Sequence, residues 1–203
     1  MALNEKIEKQ KKKKKVGLFF GSFNPLHIGH MVLANYMLEN TDMDKVCFVV
    51  SPQNPFKTQS SLLDEIHRYA IVQRTIDEDE RFEVSNIEFS MPKPSYTADT
   101  LVKLSEKYPD KEFALIIGQD NLKSFHKWKN VDFLLQEHDV YVYPRTGAAE
   151  TKWDKHKKVH LLDAPEVEIS ASFIRNSIKK GHDIRWLLPS EGWKYMEEMN
   201  FYK

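Results

Sequence analysis

The chain has 203 residues with 30 Lys plus Arg against 30 Asp plus Glu, so its formal net charge is zero. That zero averages unlike parts. Residues 1–15 carry seven Lys against two Glu, a net of +5 that leaves the body at −5, which disfavours a globally basic nucleic-acid binder. No apolar run approaches the ~18 residues of a membrane span, and the apolar stretch after the lysines, Val16 to Phe20, is too short for a secretory leader. Cys47 is the single cysteine, so no internal disulfide can form and a reducing, cytoplasmic setting is expected.

From the N-terminus, the lysine run reads as a disordered solvated tail over residues 1–15, because consecutive like charges repel and bury nothing. A single domain is expected over residues 16–203. Short β-branched and aromatic runs mark strands at Val16 to Phe20, Lys45 to Val50, Phe82 to Ser85, Glu112 to Ile117, Asp139 to Tyr143 and Val159 to Leu162. Between them, apolar residues at helical spacing predict helices from about Gly29 to Glu39, Leu62 to Ile76, Thr97 to Lys107, Ala171 to Lys180 and Glu191 to Met199. Gly181 reads as the residue that stops the fourth. Most of the strands lack polar alternation, as strands buried on both faces do. The alternation of strand and helix therefore predicts an α/β fold, a doubly wound, mostly parallel sheet flanked by helices.

The densest signal is VGLFFGSFNPLHIGH, residues 16–30. A strand runs into Gly21, Ser22, Phe23, Asn24 and Pro25, then His27 and His30 open a helix. In open parallel sheets ligands bind beyond the carboxyl ends of strands, where helix N-termini attract phosphate. Gly21 would allow close backbone approach by a ligand, and two imidazoles three residues apart could donate to one phosphate group. A zinc site needs more ligands than this pair supplies. The spelling of a P-loop or of a G-x-G-x-x-G fingerprint is absent.

This stretch resembles the phosphate-binding turn of the nucleotidyltransferase superfamily, in which Gly, an aromatic residue and Pro precede H-x-G-H. It also spells HIGH, as class I aminoacyl-tRNA synthetases do, but the lysine-rich K-M-S-K-S loop of those enzymes is missing. The superfamily's second element, I-S-S-T-x-I-R, is similar to Ile169, Ser170, Ala171, Ser172, Phe173, Ile174 and Arg175. Ala171 replaces the usual Ser.

Four further segments resemble the nicotinate-nucleotide adenylyltransferase family: Ser95 to Leu101 (S-Y-T-x-D-T-L), Ile117 to Leu122 with Phe125 and Trp128, Tyr143 to Gly147, and the looser Pro52 to Lys57. The resemblance implies adenylyl transfer from ATP to nicotinate mononucleotide in NAD biosynthesis, with His27 and His30 catalytic and Mg²⁺ carried by the ATP phosphates rather than by a protein metal site. It implies ATP contacts from Gly21, Ser22, Phe23, His27, His30, Asp120, Ser170, Ser172 and Arg175. For the pyridine nucleotide it implies Lys57 and Arg145 at the phosphate, Trp128 stacked on the ring, and Thr97 with backbone N–H groups around Tyr96 and Lys129 at the carboxylate. Neither a membrane nor a specific nucleic acid is implied as a partner, and a homo-oligomer is compatible.

Each residue also has a plainer reading. Trp128 could be packing, Thr97 a helix N-cap, Asp120 the cap of a short helix at Asn121, and Lys57 a solvated lysine. Two rival functions stay open at this level. One is another adenylyl- or cytidylyltransferase of the same fold, such as pantetheine-phosphate adenylyltransferase. The other is a non-catalytic nucleotide- or RNA-binding module.

Overall fold

Val16, Leu18 and Phe19 open the first strand with no polar alternation, and the structure shows why: consecutive residues enter two separate apolar layers. The computed structural model describes residues 13–52 and 62–203. Strands β1 (Lys14–Gly21), β2 (Lys45–Val50), β3 (Phe82–Ser85), β4 (Lys111–Gly118), β5 (Val140–Tyr143) and β6 (Val159–Leu161) form one sheet in the order β3-β2-β1-β4-β5-β6. Every pairing is parallel. One face packs Phe19, Phe48, Ile116 and Tyr141 under helices α1 (Ile28–Asn40), α2 (Glu65–Ile76), α6 (Ala171–Lys179) and α7 (Ser190–Glu198). The other packs Leu18, Val49, Leu115 and Val142 under α3 (Thr97–Lys107), α4 (Gln119–Leu122) and α5 (Val131–Glu137). Each fully buried Leu, Ile or Phe is worth about 1.5–3 kcal/mol, so these layers, rather than helix propensity, hold the helices.

The chain leaves β1 toward β2 and β3 on one side and returns through β4 to β6 on the other. The reversal lies between β1 and β4, so a crevice is expected beyond their carboxyl ends, Gly21 and Gly118.

Several element boundaries differ from the sequence reading. Helix α2 starts at Glu65 rather than Leu62, because the Asp64 carboxylate accepts from the Ile66 N–H at 2.9 Å and caps it there. Helix α4 and helix α5 have too few residues to show a helical period. The stop at Gly181 is present, with φ of +70°.

The larger correction concerns the proposed tail over residues 1–15. Lys14 and Lys15 lie in β1, paired with Lys111 and Glu112 of β4. Lys15 is buried, and its ammonium meets Asp42 at 2.8 Å, Asp139 at 3.2 Å and Glu112 at 3.3 Å. Asp139 also takes Lys158 at 3.4 Å and His160 at 3.1 Å. A run of like charges hid this role because the three carboxylates come from segments far apart in sequence. Burial would lower the Lys15 pKa, but hydrogen bonds to Asp42 and Asp139 outweigh it and hold it above its ordinary value. Burial would likewise raise the Asp139 carboxyl, yet His160 and Lys15 hold it below the usual range.

A lowered carboxyl pKa contributes stability above the unfolded value that is lost as pH falls through the folded one. Lys15→Met should therefore cost about 1–2 kcal/mol at neutral pH, since Asp139 loses its buried cation but keeps Lys158 and His160, and Asp42 and Glu112 are half-exposed. Thermal melts from pH 7 down to pH 3 should show a flatter acid loss in the variant than in the native chain. An unchanged melting temperature at pH 7 would contradict the role.

Candidate active site

The turn after β1 folds back on itself. Phe23 has φ of +43°, a conformation rare for a bulky residue, and it is held there by packing. Its ring meets Phe19 at 6.0 Å, Phe48 at 5.5 Å and His30 at 5.2 Å, all edge-on. This ring also explains Gly21. A Cβ on Gly21 would sit 2.8 Å from the Phe23 ring, so the glycine makes room for a neighbour rather than only for a ligand.

Backbone carbonyls of the turn are engaged from behind. Gly21 O accepts from the Ser51 N–H at 2.9 Å. Ser22 O accepts from Arg68 Nη1 at 2.5 Å, and the same guanidinium reaches Leu63 O, Ser51 O and Pro52 O. Arg68 is fully buried and forms no ion pair among the described residues. Asn24 O accepts from Arg175 Nη1 at 2.8 Å, while Asn24 Oδ1 accepts from the Leu63 N–H at 3.1 Å and from the Tyr202 hydroxyl at 2.6 Å. With these acceptors occupied, an anion approaching the turn meets fewer bare carbonyls, which favours phosphate.

His27 is the N-cap of α1 and His30 its third residue, so they do not share a helix face as equals. Their rings nevertheless lie 3.8 Å apart. The His27 N–H donates to His30 Nδ1 at 3.2 Å. In the neutral ring this places the His30 proton on Nε2, the atom then able to donate. Among the described residues, His27 Nδ1 is the buried side-chain polar atom without a hydrogen-bond partner. Burial, helped by the nearby Arg145 charge, lowers the His27 pKa to about 4. Gly29 serves the same ring, because a Cβ there would press on His27 Nδ1 and Val167 at 3.2 Å each.

Beside this turn opens a cleft with a volume of about 210 Å³. Its walls include Gly21, Ser22, Ser51, Gly118, Tyr96, Thr97, Trp128 and Lys129. Tyr96, not Thr97, is the N-cap of α3, and no side chain caps the first-turn N–H groups. They remain donors and make this the positive end of the helix. Asp99 would weaken that end, but Lys129 Nζ pairs with it at 2.8 Å. Trp128 is half-buried, with its ring edge-on to Phe125 at 5.0 Å, and it lines the cleft as well.

Arg145, Asp120, Ser170 and Ser172 are not among the residues that line this cleft. Arg145 stacks over Tyr143 at 5.1 Å and stands 4.0 Å from Asp120. Ser170 caps α6 by accepting from the Phe173 N–H at 3.1 Å, and Ser172 accepts from Arg175 at 3.3 Å. Lys57 lies outside the described residues.

A family model described as cytidylyltransferase-like matches residues 18–177. A protein of Flavobacterium johnsoniae named "Probable nicotinate-nucleotide adenylyltransferase" is 49% identical over 93% of this chain and 99% of its own length. A Christiangramia forsetii protein of the same name is 49% identical over 94% and 99%. The chain belongs to the nicotinate-nucleotide adenylyltransferase family. In fold it is similar to the Plasmodium falciparum nicotinic acid mononucleotide adenylyltransferase complexed with NaAD. That likeness has a TM-score of 0.76 at 20% identity and covers 93% of this chain and 97% of the other.

The family's motifs thus converge at the carboxyl ends of β1, β4 and β5. Sequence reasoning missed Arg68, Glu88 and Tyr202, which hold this adenylyltransferase's loops without belonging to its recognisable motifs, and it named Asn24 in the turn without seeing what the residue binds. Arg68 had one usable signal: it falls on the apolar face of α2, three residues before Ile71. No group of three or more potential metal-binding side chains occurs among the described residues.

The depressed His27 pKa has a testable sign. A histidine buried in its neutral form stabilises the fold above the unfolded value near 6.5, and that contribution is lost as pH falls toward the folded value. In imidazole NMR spectra the His27 resonances should therefore stay fixed from pH 8 to about pH 5. A midpoint above pH 6 would refute the burial effect.

Proposed function

We propose that this adenylyltransferase joins ATP to nicotinate mononucleotide, releasing pyrophosphate and forming nicotinate adenine dinucleotide. The observation that carries the reading is one of adjacency. An aromatic cleft ending at the uncapped N-terminus of α3 shares Gly21 and Ser22 with the turn that bears the histidine pair.

A phosphate oxygen of the mononucleotide bonds to the α-phosphorus of ATP. The bond from that phosphorus to the α,β-bridging oxygen breaks, and pyrophosphate departs with the electron pair. The nucleophile is already ionised at neutral pH, so no general base is required, and positioning with charge stabilisation is sufficient. His30, with its proton on Nε2, and His27, uncharged near neutrality, serve as donors to ATP phosphate oxygens. Arg175 and Ser172 hold the turn from α6, next to the phosphates. Ser170 keeps a hydroxyl proton for the nucleotide while its oxygen caps the helix. Arg145 and Asp120 frame the opposite rim, with Lys57 and Arg145 assigned to the mononucleotide phosphate.

Mg²⁺ would accompany ATP as the counter-ion of its phosphates and would supply charge neutralisation for the leaving pyrophosphate. The groups assigned to ATP include the imidazoles of His27 and His30 and the guanidinium of Arg175, so the metal would be held by the nucleotide's own phosphate oxygens. No helix among the described residues is long and apolar enough to cross a membrane. The buried thiol of Cys47 suits the cytoplasm, where this reading places the reaction.

In the cleft, Trp128 stacks on the pyridine ring and the α3 amides of Thr97 and its neighbours take the carboxylate. Purified protein with ATP, Mg²⁺ and nicotinate mononucleotide should release pyrophosphate; activity with phosphopantetheine alone would overturn the assignment. His30→Ala should lower kcat by about 10²–10³-fold while the melting temperature changes little. Trp128→Ala should raise the KM for nicotinate mononucleotide about tenfold, the loss of one stacking contact, with the KM for ATP nearly unchanged.

A further inference from the structure

Glu88 is a buried acid that the reaction as described does not use. It sits in the 3-10 turn Ile87–Ser90 after β3, is 2% exposed and borders the cleft. Among the described residues it forms no ion pair. Its two oxygens are taken by hydroxyls instead: Oε2 accepts from Ser95 at 2.8 Å and Oε1 from Thr100 at 2.8 Å. These two residues bracket Tyr96 and Thr97, the cap and first residue of α3.

A carboxylate buried without a cation is an expensive way to fill space. An apolar side chain would pack there at lower cost, so the acid is retained for what its geometry does. An ionised carboxylate only accepts, and here it takes both hydroxyl protons at once. Thr100 has a second acceptor within reach, the Tyr96 carbonyl at 3.2 Å, but the charge-assisted bond to Glu88 is shorter. The result is a two-point tether from the turn after β3 to both sides of the α3 N-terminus.

We propose that Glu88 is a positioning residue that sets the carboxylate end of the pyridine pocket, and so favours nicotinate over nicotinamide mononucleotide. The inference rests on the proposed reaction and deepens it. Backbone N–H groups discriminate an acid from an amide only if their positions are fixed, because a mobile loop can turn a carbonyl toward the amide's NH₂. Glu88 is itself a negative group near an anion pocket, and simple repulsion would predict the opposite effect from its removal. Two donated hydroxyls disperse that charge, and the position of the helix end decides the outcome.

The test is Glu88→Gln, which keeps shape but can offer only one acceptor oxygen and brings an NH₂ where an acceptor stood. Initial rates should be measured with each mononucleotide at saturating ATP, alongside melting temperatures. The KM for nicotinate mononucleotide should rise about tenfold, the KM for ATP should stay within about twofold, and the nicotinate-to-nicotinamide ratio of kcat/KM should fall at least about fivefold. Ser95→Ala and Thr100→Val each release one point of the tether and should give smaller shifts in the same direction. Thr100→Val combined with Glu88→Gln should be less than additive. A folded Glu88→Gln with unchanged selectivity, or with a lower KM for nicotinate mononucleotide, would overturn the inference. Should Glu88→Gln not fold, unchanged selectivity in both single hydroxyl variants would do the same. A native protein that makes no dinucleotide from ATP and nicotinate mononucleotide would defeat the proposed reaction itself, whatever the variants show.

Discussion

The histidine-bearing turn after β1 depends on the hydrogen bonds that converge on Asn24. Its carbonyl is held by Arg175 of α6 and its side-chain oxygen by Leu63 and Tyr202, so segments from the middle and the end of the chain meet at one residue. Arg68 adds a second hold, joining Ser22 to the exit of β2 and the approach to α2. Backbone carbonyls are weak acceptors individually, and a buried guanidinium that satisfies four of them is costly to replace, because each would be left unpaired. The conformation of Phe23, the spacing of the histidines and the shared wall of the cleft all follow from a turn secured in this way.

Electrostatics in the site rest on local placement rather than on net charge. The chain as a whole is neutral, yet the turn is approached by Arg175, Arg145 and Arg68, and the cleft ends at an uncapped helix N-terminus. His27 differs from these groups. Burial and the Arg145 charge keep it neutral, so it adds no further buried cation to the turn. The opposite end of the sheet is built on the reverse plan, with Lys15 as a cation enclosed by carboxylates. The two ends of the sheet thus differ: at the amino end the buried ammonium is enclosed by carboxylates, and at the carboxyl end the cleft meets an uncapped helix N-terminus.

Much of this architecture was legible before the fold was known. The six strands were readable because both faces of a parallel sheet are buried, which leaves unbroken apolar runs such as Val46 to Val50. Ser170 stood out as part of the second motif, and its capping role is local, a hydroxyl three residues from the N–H it serves. The helix at Val131–Glu137 was not readable, since seven residues hold too little of a helical period. Lys15 was misassigned for a different reason: its neighbours in sequence are like charges, and its partners in space are not its neighbours in sequence.

Local chemistry in the sequence thus determined the strand–helix alternation, the histidine turn, and the aromatic and hydroxyl residues of the cleft, because a motif is a short-range arrangement that survives being written in one line. Only the tertiary structure decided which side chains hold those motifs in place. Arg68, Asn24, Glu88, Lys15 and Tyr202 act on partners up to 178 residues away. Their residue types carry no hint of this on their own, because a buried polar group acquires its role from the donors and acceptors that folding brings to it.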